Sequence, residues 1–369
     1  RGHGLEPVPA ASMEEPQARA LAVRMAASAH KRLDDACPVV DATLPDGTRL
    51  NAVLPPLSAD GTLICLRTKR RSAFTLGQLV EAGTVAPGLD SVLAALIETR
   101  ASCLITGATG TGKTTLLAAL LGLVSATERI VCIEEAAELR PDHPHVLHLQ
   151  ERGDNVQGVG AVPMSALVRT ALRMRPDRIV LGECRGPEVR DVLTALNTGH
   201  EGGWATLHAN SPADVPARLT ALGALAGLDE TAVAAQAVSA LDAVIHLRRS
   251  GATGGGIAGR RSPREGTAER SSTRGSDGPD SCASPEQDAM SSRSSRTRRY
   301  VSGIGMLRRG AQGSLVCEDA LIVALDGAAG TAGTVRAVSA GPAVDRLAER
   351  IGAAPVAAAM KGGTSWTPL

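Results

Sequence analysis

Hydrophobic and polar positions in the N-terminal part of the chain follow the pattern of short, half-buried strands. The runs VVDATL, RLNAVL and TLICLR lie between residues 39 and 67, with Asp-Gly pairs in the intervening segments. An Asp-Gly pair between apolar runs favours a hairpin turn. The preceding stretch, Ala18 to His30, is Ala-rich and predicts a helix. We therefore expect a small α+β domain over residues 1–75.

A basic segment connects this domain to the rest of the chain. Residues 68–85 read TKRRSAFTLGQLVEAGTV. Thr75 stands just before an apolar helical pattern, and its side chain is of the kind that caps helix N-termini. We predict a linker over residues 76–88 that contains a short helix.

From Leu89 onward, apolar segments of helix length and strand length alternate. Patterns such as LDSVLAALIETR and TTLLAALLGLVS are separated by short apolar runs such as SCLIT, RIVCIEE and RIVLGE. This alternation is typical of a mainly parallel sheet flanked by helices. We predict an α/β domain over residues 89–249 that ends in helices and a final strand.

The composition changes after residue 249. Residues 250–299 are rich in Ser, Gly and Arg, with nine arginines and six acidic residues. Such a segment buries too little apolar surface to fold, so we expect a disordered, solvated insertion. An electrostatic contact with lipid or a partner is the alternative. Residues 300–369 resume a strand pattern and end in an Ala-rich tail with a short helix at AVDRLAERIG.

The overall composition argues against several classes of protein. Lys and Arg total 39 against 38 Asp and Glu, and aromatic residues make up 1% of the chain, so direct nucleic-acid binding is not expected. The seven cysteines form no CxxC pair, which argues against zinc and suits a reducing cytoplasm. No apolar run reaches the roughly 18 residues of a membrane span, and no signal-peptide pattern occurs. Because the chain begins at Arg1 rather than Met, we expect a truncated N-terminus.

The segment GATGTGKTT carries the most specific chemistry. It matches G-x-x-x-x-G-K-[ST] and lies between a predicted buried strand and an apolar helix. Glycines let backbone N–H groups surround phosphate oxygens, the lysine reaches the β- and γ-phosphates, and the threonine hydroxyl binds Mg²⁺. The sequence thus predicts a site for ATP and Mg²⁺. Its residues are Gly107, Ala108, Thr109, Gly110, Thr111, Gly112, Lys113, Thr114 and Thr115.

An ATPase also needs acidic groups that orient the metal and activate water. Glu134, Glu135 and Glu138 stand at the end of one predicted strand, and Glu183 ends another. The carboxyl ends of parallel strands lie beside the phosphate loop in an α/β sheet. A solvated surface carboxylate is the alternative for these groups.

The histidines allow more than one interpretation. His200 and His208 lie in TGHEGGWATLHANS and flank an expected sheet edge, where a γ-phosphate is within reach. A hydrogen-bonded structural histidine is the alternative for both. A second group fits a surface loop leading into a strand better than a metal site: His143, His145 and His148.

Taken in order, four segments resemble the traffic ATPases of type II and type IV secretion and of type IV pili. GATGTGKTT, IEEAAEL, RMRPDRIVLGECRG and ALNTGHEGGWATLHANS match that family's Walker A, Asp, Walker B and His boxes. The resemblance covers roughly Leu33 to Arg249. VVDATLPDGTRLNAVLPPLS and FTLGQLVEAGTVAP look closest to the TadA/CpaF branch, whose members drive assembly of Flp (tight adherence) pili.

The resemblance implies a RecA-like P-loop ATPase fold behind a small N-terminal α+β domain. By its motifs, Lys113 binds phosphate and Glu138 activates the attacking water. Glu183 supports Mg²⁺ with Thr114, and His208 senses the γ-phosphate. The first histidine of the His box matches His200, which the resemblance places among the nucleotide-binding residues.

The family also implies partners and further site residues. Its members form homo-hexameric rings at the cytoplasmic face of the inner membrane, attached peripherally to the pilus or secretion platform. Arginines of the N-terminal domain complete the nucleotide site, since the guanidinium fork stabilises phosphoryl charge. The candidates are Arg49 and Arg67, followed by Arg173, Arg175 and Arg185 around the Walker B strand.

Two features of the sequence depart from the family pattern. Glu135 stands where the Asp box usually has Asp, and residues 250–299 form an insertion that the family is not expected to have. The four-cysteine zinc module of general secretion ATPases is absent from this sequence, which argues against that branch. Three interpretations of the function remain open. The leading interpretation is an ATP-hydrolysing motor for pilus assembly or secretion. A conjugative type IV secretion ATPase that moves protein or DNA is the alternative. A ring scaffold that binds ATP without productive hydrolysis is a third.

Overall fold

The computed structural model describes residues 13–68, 73–153, 159–250, 298–325 and 335–360. Its first segment forms a small N-terminal domain. Helix α1 (Glu15–Ser28) lies against an antiparallel sheet of β1 (Val39–Thr43), β2 (Arg49–Val53) and β3 (Leu63–Arg67), in the order β1-β2-β3. Alternate residues of β1 and β2 are buried because successive side chains of a strand point to opposite faces.

Two short helices lead into the second domain, α2 (Leu76–Glu81) and α3 (Leu89–Glu98). Thr75 caps α2, as the sequence predicts. Its hydroxyl accepts a hydrogen bond from the Gln78 amide at 3.2 Å, and the Gln78 side chain accepts one from the Thr75 amide at 3.1 Å. This reciprocal pair satisfies backbone N–H groups that a helix start leaves free.

A large sheet forms the centre of the second domain. Its order is β12-β11-β10-β9-β4-β8-β7-β5-β6, parallel from β9 to β6 and antiparallel from β9 to β12. The α/β prediction, with a mostly parallel sheet behind a small N-terminal domain, is confirmed. The strands are β4 (Cys103–Gly107), β5 (Ile130–Glu134), β6 (Val146–Gln150), β7 (Arg178–Cys184), β8 (Trp204–Leu207), β9 (Ala243–Arg249), β10 (Arg299–Arg309), β11 (Leu315–Leu325) and β12 (Val335–Ala340).

Helices cover both faces of this sheet and bury its apolar side chains. One core layer lies between the sheet and α2, α3, α4, α9 and α10, and the other lies between the sheet and α5 to α8. The helices are α4 (Lys113–Leu121), α5 (Met164–Ala171), α6 (Glu188–Asn197), α7 (Val215–Leu225), α8 (Glu230–Ala240), α9 (Val344–Ile351) and α10 (Ala353–Ala359). None of the described helices is long and apolar enough to cross a membrane.

The C-terminal strands extend the large sheet, which the sequence did not predict. On α9, the helix expected at AVDRLAERIG, Arg350 donates to Asp242 at 2.7 Å and to the carbonyl oxygen of Thr99 at 3.1 Å. Asp242 also accepts the Ser102 amide at 2.7 Å. The C-terminal segment is thus tied to the start of β4. Strand β12 and helix α10 were not predicted, because their Ala-rich sequences carry no clear apolar period.

The insertion predicted to be disordered, residues 250–299, lies outside the described residues except at its ends. Ser250 donates its amide to the carbonyl oxygen of Arg298 at 2.8 Å. The two ends therefore meet beside the paired strands β9 and β10.

Candidate functional site

The phosphate loop joins the buried strand β4 to the amino end of α4. Two glycines give it a backbone that other residues adopt only with strain. Gly107 has φ +146°, and a Cβ there would lie 2.5 Å from the carbonyl oxygen of Leu247. Gly112, directly before α4, has φ +103°. The resulting turn directs the free amide groups of α4 toward the loop, where they stabilise an anion.

Lys113, the first residue of α4, places its ammonium group inside this loop. Nζ donates to the carbonyl oxygens of Gly107 at 2.9 Å and Ala108 at 3.3 Å, and it lies 3.5 Å from the His208 ring. Burial lowers the pKa of Lys113, and the Glu183 carboxylate opposes that shift. The lysine thus occupies the place where the motif expects the terminal phosphates of a nucleotide.

Glu183 and His208 pair with each other beside Lys113. His208 Nε2 lies 2.9 Å from Glu183 Oε1 and Nδ1 lies 3.5 Å from the Thr109 hydroxyl, while both ring nitrogens lie 3.5 Å from Lys113 Nζ. Burial, together with the charges of Lys113, Arg185 and Arg218, lowers the pKa of His208, which favours the neutral ring. These neighbours assign the tautomer: Nε2–H donates to the carboxylate and Nδ1 is the acceptor. Burial raises the pKa of Glu183, against the effect of Lys113.

Arginines of the N-terminal domain line the other side of the site. Arg67, at the end of β3, lies 3.3 Å from Glu138, and Arg49, at the start of β2, lies 3.8 Å from the same carboxylate. Arg49 is also 4.0 Å from Glu135, which pairs with Arg185. Such partly exposed pairs contribute little to stability. Their consequence is positional, because they hold guanidinium groups beside the carboxylate of the Asp box.

Glu134 does not face the site, although the sequence offered it as a candidate for metal orientation or water activation. It is 4% exposed, and its Oε1 accepts the backbone amides of Glu138 at 2.9 Å and Leu139 at 2.8 Å. The chain turns directly after Glu134, the last residue of β5. Glu135 and Glu138 lie in this turn and contact the arginines, whereas Glu134 stays buried under the turn.

Strand β8 separates the two histidines of the His box. His208 follows the carboxyl end of β8, beside the phosphate loop, but His200 precedes its amino end, where its amide donates to Ala195 at 3.3 Å. The structure therefore does not bring His200 to the phosphate loop of this chain. Arg173 and Arg175 likewise precede the amino end of β7, so they lie at the opposite edge of the sheet from the site.

The donor groups at the loop fit Mg²⁺. Thr114 lies on the first turn of α4 and Glu183 near the end of β7, and both supply the oxygen atoms that Mg²⁺ prefers. Across the described residues, no three His, Cys, Asp or Glu side chains are arranged to hold a metal ion. Mg²⁺ is usually held through one or two protein groups, waters and substrate phosphates, which is the share that Thr114 and Glu183 would supply.

The histidines of DHPHVLH are engaged in other contacts. His143 Nε2 lies 2.9 Å from the carbonyl oxygen of Ser125, and His145 accepts a hydrogen bond from Arg129 at 3.0 Å. His148 lies on β6 and faces Glu134. These contacts place the three histidines in a loop and on the strand that follows it.

Sequence reasoning missed two neighbours of the phosphate loop. Arg218 donates to the carbonyl oxygen of His208 at 3.1 Å and so braces the His box. His246, buried on β9, lies 2.8 Å from the Thr106 hydroxyl beneath the loop, and burial lowers its pKa to about 4. A histidine inside the apolar run AVIHL is the signal that marks it.

The chain matches a known protein family. The profile of the type II/IV secretion system protein family matches residues 10–293. A Mycobacterium tuberculosis protein with the provisional name of conjugal transfer protein is 50% identical over 254 residues, covering 67% of this chain and 72% of its own length. The Bordetella pertussis type IV secretion system protein PtlH is 37% identical over 209 residues, covering 50% of this chain and 60% of its own length.

Among solved structures, the chain is similar to the VirB11 ATPase of the Brucella suis type IV secretion system. The sequence identity is 25% and the TM-score 0.38, over 64% of this chain and 76% of that one. The family profile spans well over half of the chain, and the mycobacterial relative matches two thirds of it. On these two findings, the protein belongs to the type II/IV secretion system protein family, whose traffic ATPases its sequence motifs resemble.

Proposed function

We propose that this protein hydrolyses ATP and that the reaction drives a secretion or pilus machine. One observation carries the proposal. Lys113, Glu183 and His208 converge on a phosphate loop, while Glu138 faces this site beside arginines of a second domain. A phosphate-binding loop, carboxylates that position the metal and the water, and a guanidinium group that stabilises the phosphoryl charge are the parts that phosphoryl transfer to water uses.

In the proposed reaction, water attacks the γ-phosphorus of ATP and the bond to the bridging β–γ oxygen breaks. Glu138 takes a proton from the attacking water, and ADP and inorganic phosphate leave. Lys113 and the loop amides stabilise charge on the phosphate oxygens. His208 pairs with Glu183 through Nε2 and its ring lies 3.5 Å from the ammonium group of Lys113, so the position of the ring depends on both groups.

The residues at the loop would also hold a divalent cation. Thr114 would bind Mg²⁺ directly and Glu183 through water, and the ion would neutralise charge on the β- and γ-phosphates. Glu183 would support the Mg²⁺ ion only when its carboxyl group is ionised. Its raised pKa shows that burial weakens ionisation, and the nearby ammonium group of Lys113 counteracts that effect.

The arginine pairs suggest how hydrolysis moves the domains. Arg49 and Arg67 belong to the N-terminal domain, yet they contact Glu138 of the ATPase domain. Phosphate groups compete with a carboxylate for the same guanidinium groups. Nucleotide turnover in the proposed motor therefore changes how the N-terminal domain is held. We place the motor in a homo-hexamer, attached peripherally at the cytoplasmic face of the inner membrane to a secretion platform.

For the machine that is driven, we propose assembly of a Flp-type pilus of the TadA/CpaF kind. The similarity of residues 39–58 and 74–87 to that branch supports it. Conjugal transfer is the second candidate, favoured by the name of the mycobacterial relative. Deleting the gene in its host distinguishes them: loss of surface pili with normal mating supports the first, and loss of DNA transfer with normal pili supports the second.

The ring is tested by steady-state ATP hydrolysis at increasing protein concentration, with Mg²⁺ present. We expect the activity per chain to rise and then level off as rings form, with a matching shift in mass by light scattering. Hydrolysis that is constant per chain while the protein stays monomeric would contradict the ring. ATP binding without turnover at any concentration would favour the scaffold alternative.

Arg67→Ala is expected to lower kcat for ATP hydrolysis by about 10- to 100-fold, the value of one charge-assisted hydrogen bond. The reason is that this guanidinium group, 3.3 Å from Glu138, is placed to meet phosphoryl charge. Arg32→Ala is the control, because Arg32 pairs with Asp34 within the N-terminal domain. Equal activity of both variants would remove Arg67 from the site.

A further inference from the structure

The position of Glu138, the carboxylate of the Asp box, depends on a buried residue at the end of strand β5. Glu134 is the last residue of β5, and its Oε1 accepts two successive backbone amides, from Glu138 at 2.9 Å and Leu139 at 2.8 Å. Hydrogen bonds from backbone N–H groups to a carboxylate are among the stronger ones in proteins. The turn that carries Glu138 is therefore closed on the side chain of Glu134 rather than by backbone pairing alone.

The Walker B strand leaves room for this side chain. A Cβ at Gly182 would lie 2.7 Å from Cγ of Glu134 and 3.3 Å from its Oε1. Gly182 directly precedes Glu183, so its lack of a side chain lets Glu134 lie between the strand ends that carry Glu138 and Glu183. The two acidic motifs thus have a direct steric link.

Stability alone does not account for a carboxylate at this place. Glu134 is 4% exposed, and its Oε2 has no hydrogen-bond partner within the described part of the chain. His148 Nδ1 lies 3.8 Å from Oε2 and also lacks a hydrogen-bond partner among those residues. A buried, half-satisfied carboxylate is costly compared with an apolar side chain. The stabilised turn is the compensating gain.

We infer that Glu134 is a positioning residue for Glu138: its carboxylate oxygen fixes the Asp-box turn so that the Glu138 carboxylate is held at the phosphate loop. This inference rests on the proposed function only in taking Glu138 as the base. Glu134 itself is turned away from the site and exchanges no proton with substrate. Its effect is expected on turnover and not on nucleotide affinity.

Two variants of similar size separate the hydrogen bonds from packing. Glu134→Met keeps the length of the side chain but removes the acceptor, and Glu134→Gln keeps an acceptor oxygen for both amides. Val356→Ala, in the core of α10, controls for lost stability alone. Kinetics of ATP hydrolysis give kcat and KM, and hydrogen exchange measures the amides of Glu138 and Leu139 without reference to activity.

We expect Glu134→Met to lower kcat by about 10²-fold, the size of effect that a misplacement near 1 Å produces, while the KM for ATP changes by less than about threefold. The two amides should exchange faster in this variant only. Glu134→Gln should restore both kcat and amide protection. If Glu134→Met turns over normally, or if its two amides stay protected, the inference is wrong.

A further outcome concerns the charge of Glu134. If Glu134→Gln is as slow as Glu134→Met while its amides remain protected, the charge matters and positioning is overturned. The assignment of Glu138 as the base is tested separately from the positioning role of Glu134. Normal turnover in Glu138→Gln would show that Glu138 is not the base, and the amide exchange of the Glu134 variants would still be interpreted as above. If Glu134→Met does not fold, the exchange rates of the wild type and of Glu134→Gln still test the inference. It requires that both amides be protected in these two proteins, and fast exchange of either amide overturns it.

Discussion

Lys113→Ala is expected to lower kcat/KM for ATP hydrolysis by about 10³-fold. The ammonium group lies inside the phosphate loop, 2.9 Å from the carbonyl oxygen of Gly107, where the β- and γ-phosphates of a bound nucleotide belong. Two charge-assisted hydrogen bonds, each worth about 1.5–3 kcal/mol, would be lost, and each 1.4 kcal/mol is about tenfold in rate. Nucleotide binding by fluorescence and steady-state hydrolysis measure the change.

Folding should not suffer from this substitution. Lys113 is 7% exposed and burial lowers its pKa, so removal of its charge relieves a desolvation cost. We expect an unchanged or higher Tm. Lys113→Met, which keeps the apolar stem, should match the Ala variant, whereas Lys31→Ala on the surface of the N-terminal domain should behave as wild type. Wild-type affinity for ATP in Lys113→Met would show that the loop does not bind phosphate as proposed.

Glu138→Gln is expected to lower kcat by about 10²–10⁴-fold, the contribution of a general base. The amide keeps the shape of the side chain and an oxygen that accepts a hydrogen bond from Arg67, but it takes no proton from water. The affinity for ATP should therefore remain near that of wild type. Single-turnover hydrolysis and nucleotide binding, measured on the same sample, separate the two effects.

Two comparisons make the result for Glu138 specific. Glu98→Gln, an exposed carboxylate at the end of α3, should leave turnover unchanged. Glu135→Gln should change turnover less than Glu138→Gln, because Glu135 pairs with Arg185 and is 45% exposed. If Glu138→Gln turns over normally and Glu135→Gln does not, the base has been assigned to the wrong carboxylate of the Asp box.

The fold class followed from the sequence because its signals are local. Strand and helix lengths from Leu89 to Arg249 are marked by apolar runs, and the capping residue Thr75 stands at the start of α2. The C-terminal segment carries weaker signals. No local pattern specifies that β10 pairs with β9, since that pairing joins strands on either side of a long insertion.

The sequence by itself predicted the phosphate loop, since its glycines, lysine and threonine lie within the one segment 107–115 and their chemistry depends on the backbone of that segment. It also nominated the acidic groups, because parallel strands end at one edge. Only the tertiary structure decided which of these face the site. Glu134 and Glu138 are four residues apart, yet one lies beneath the turn and the other faces arginines of another domain. The different positions of these two glutamates depend on the space beside Gly182 and on the packing of the N-terminal domain against the second domain. Both involve residues that are distant in sequence, so they leave no local pattern.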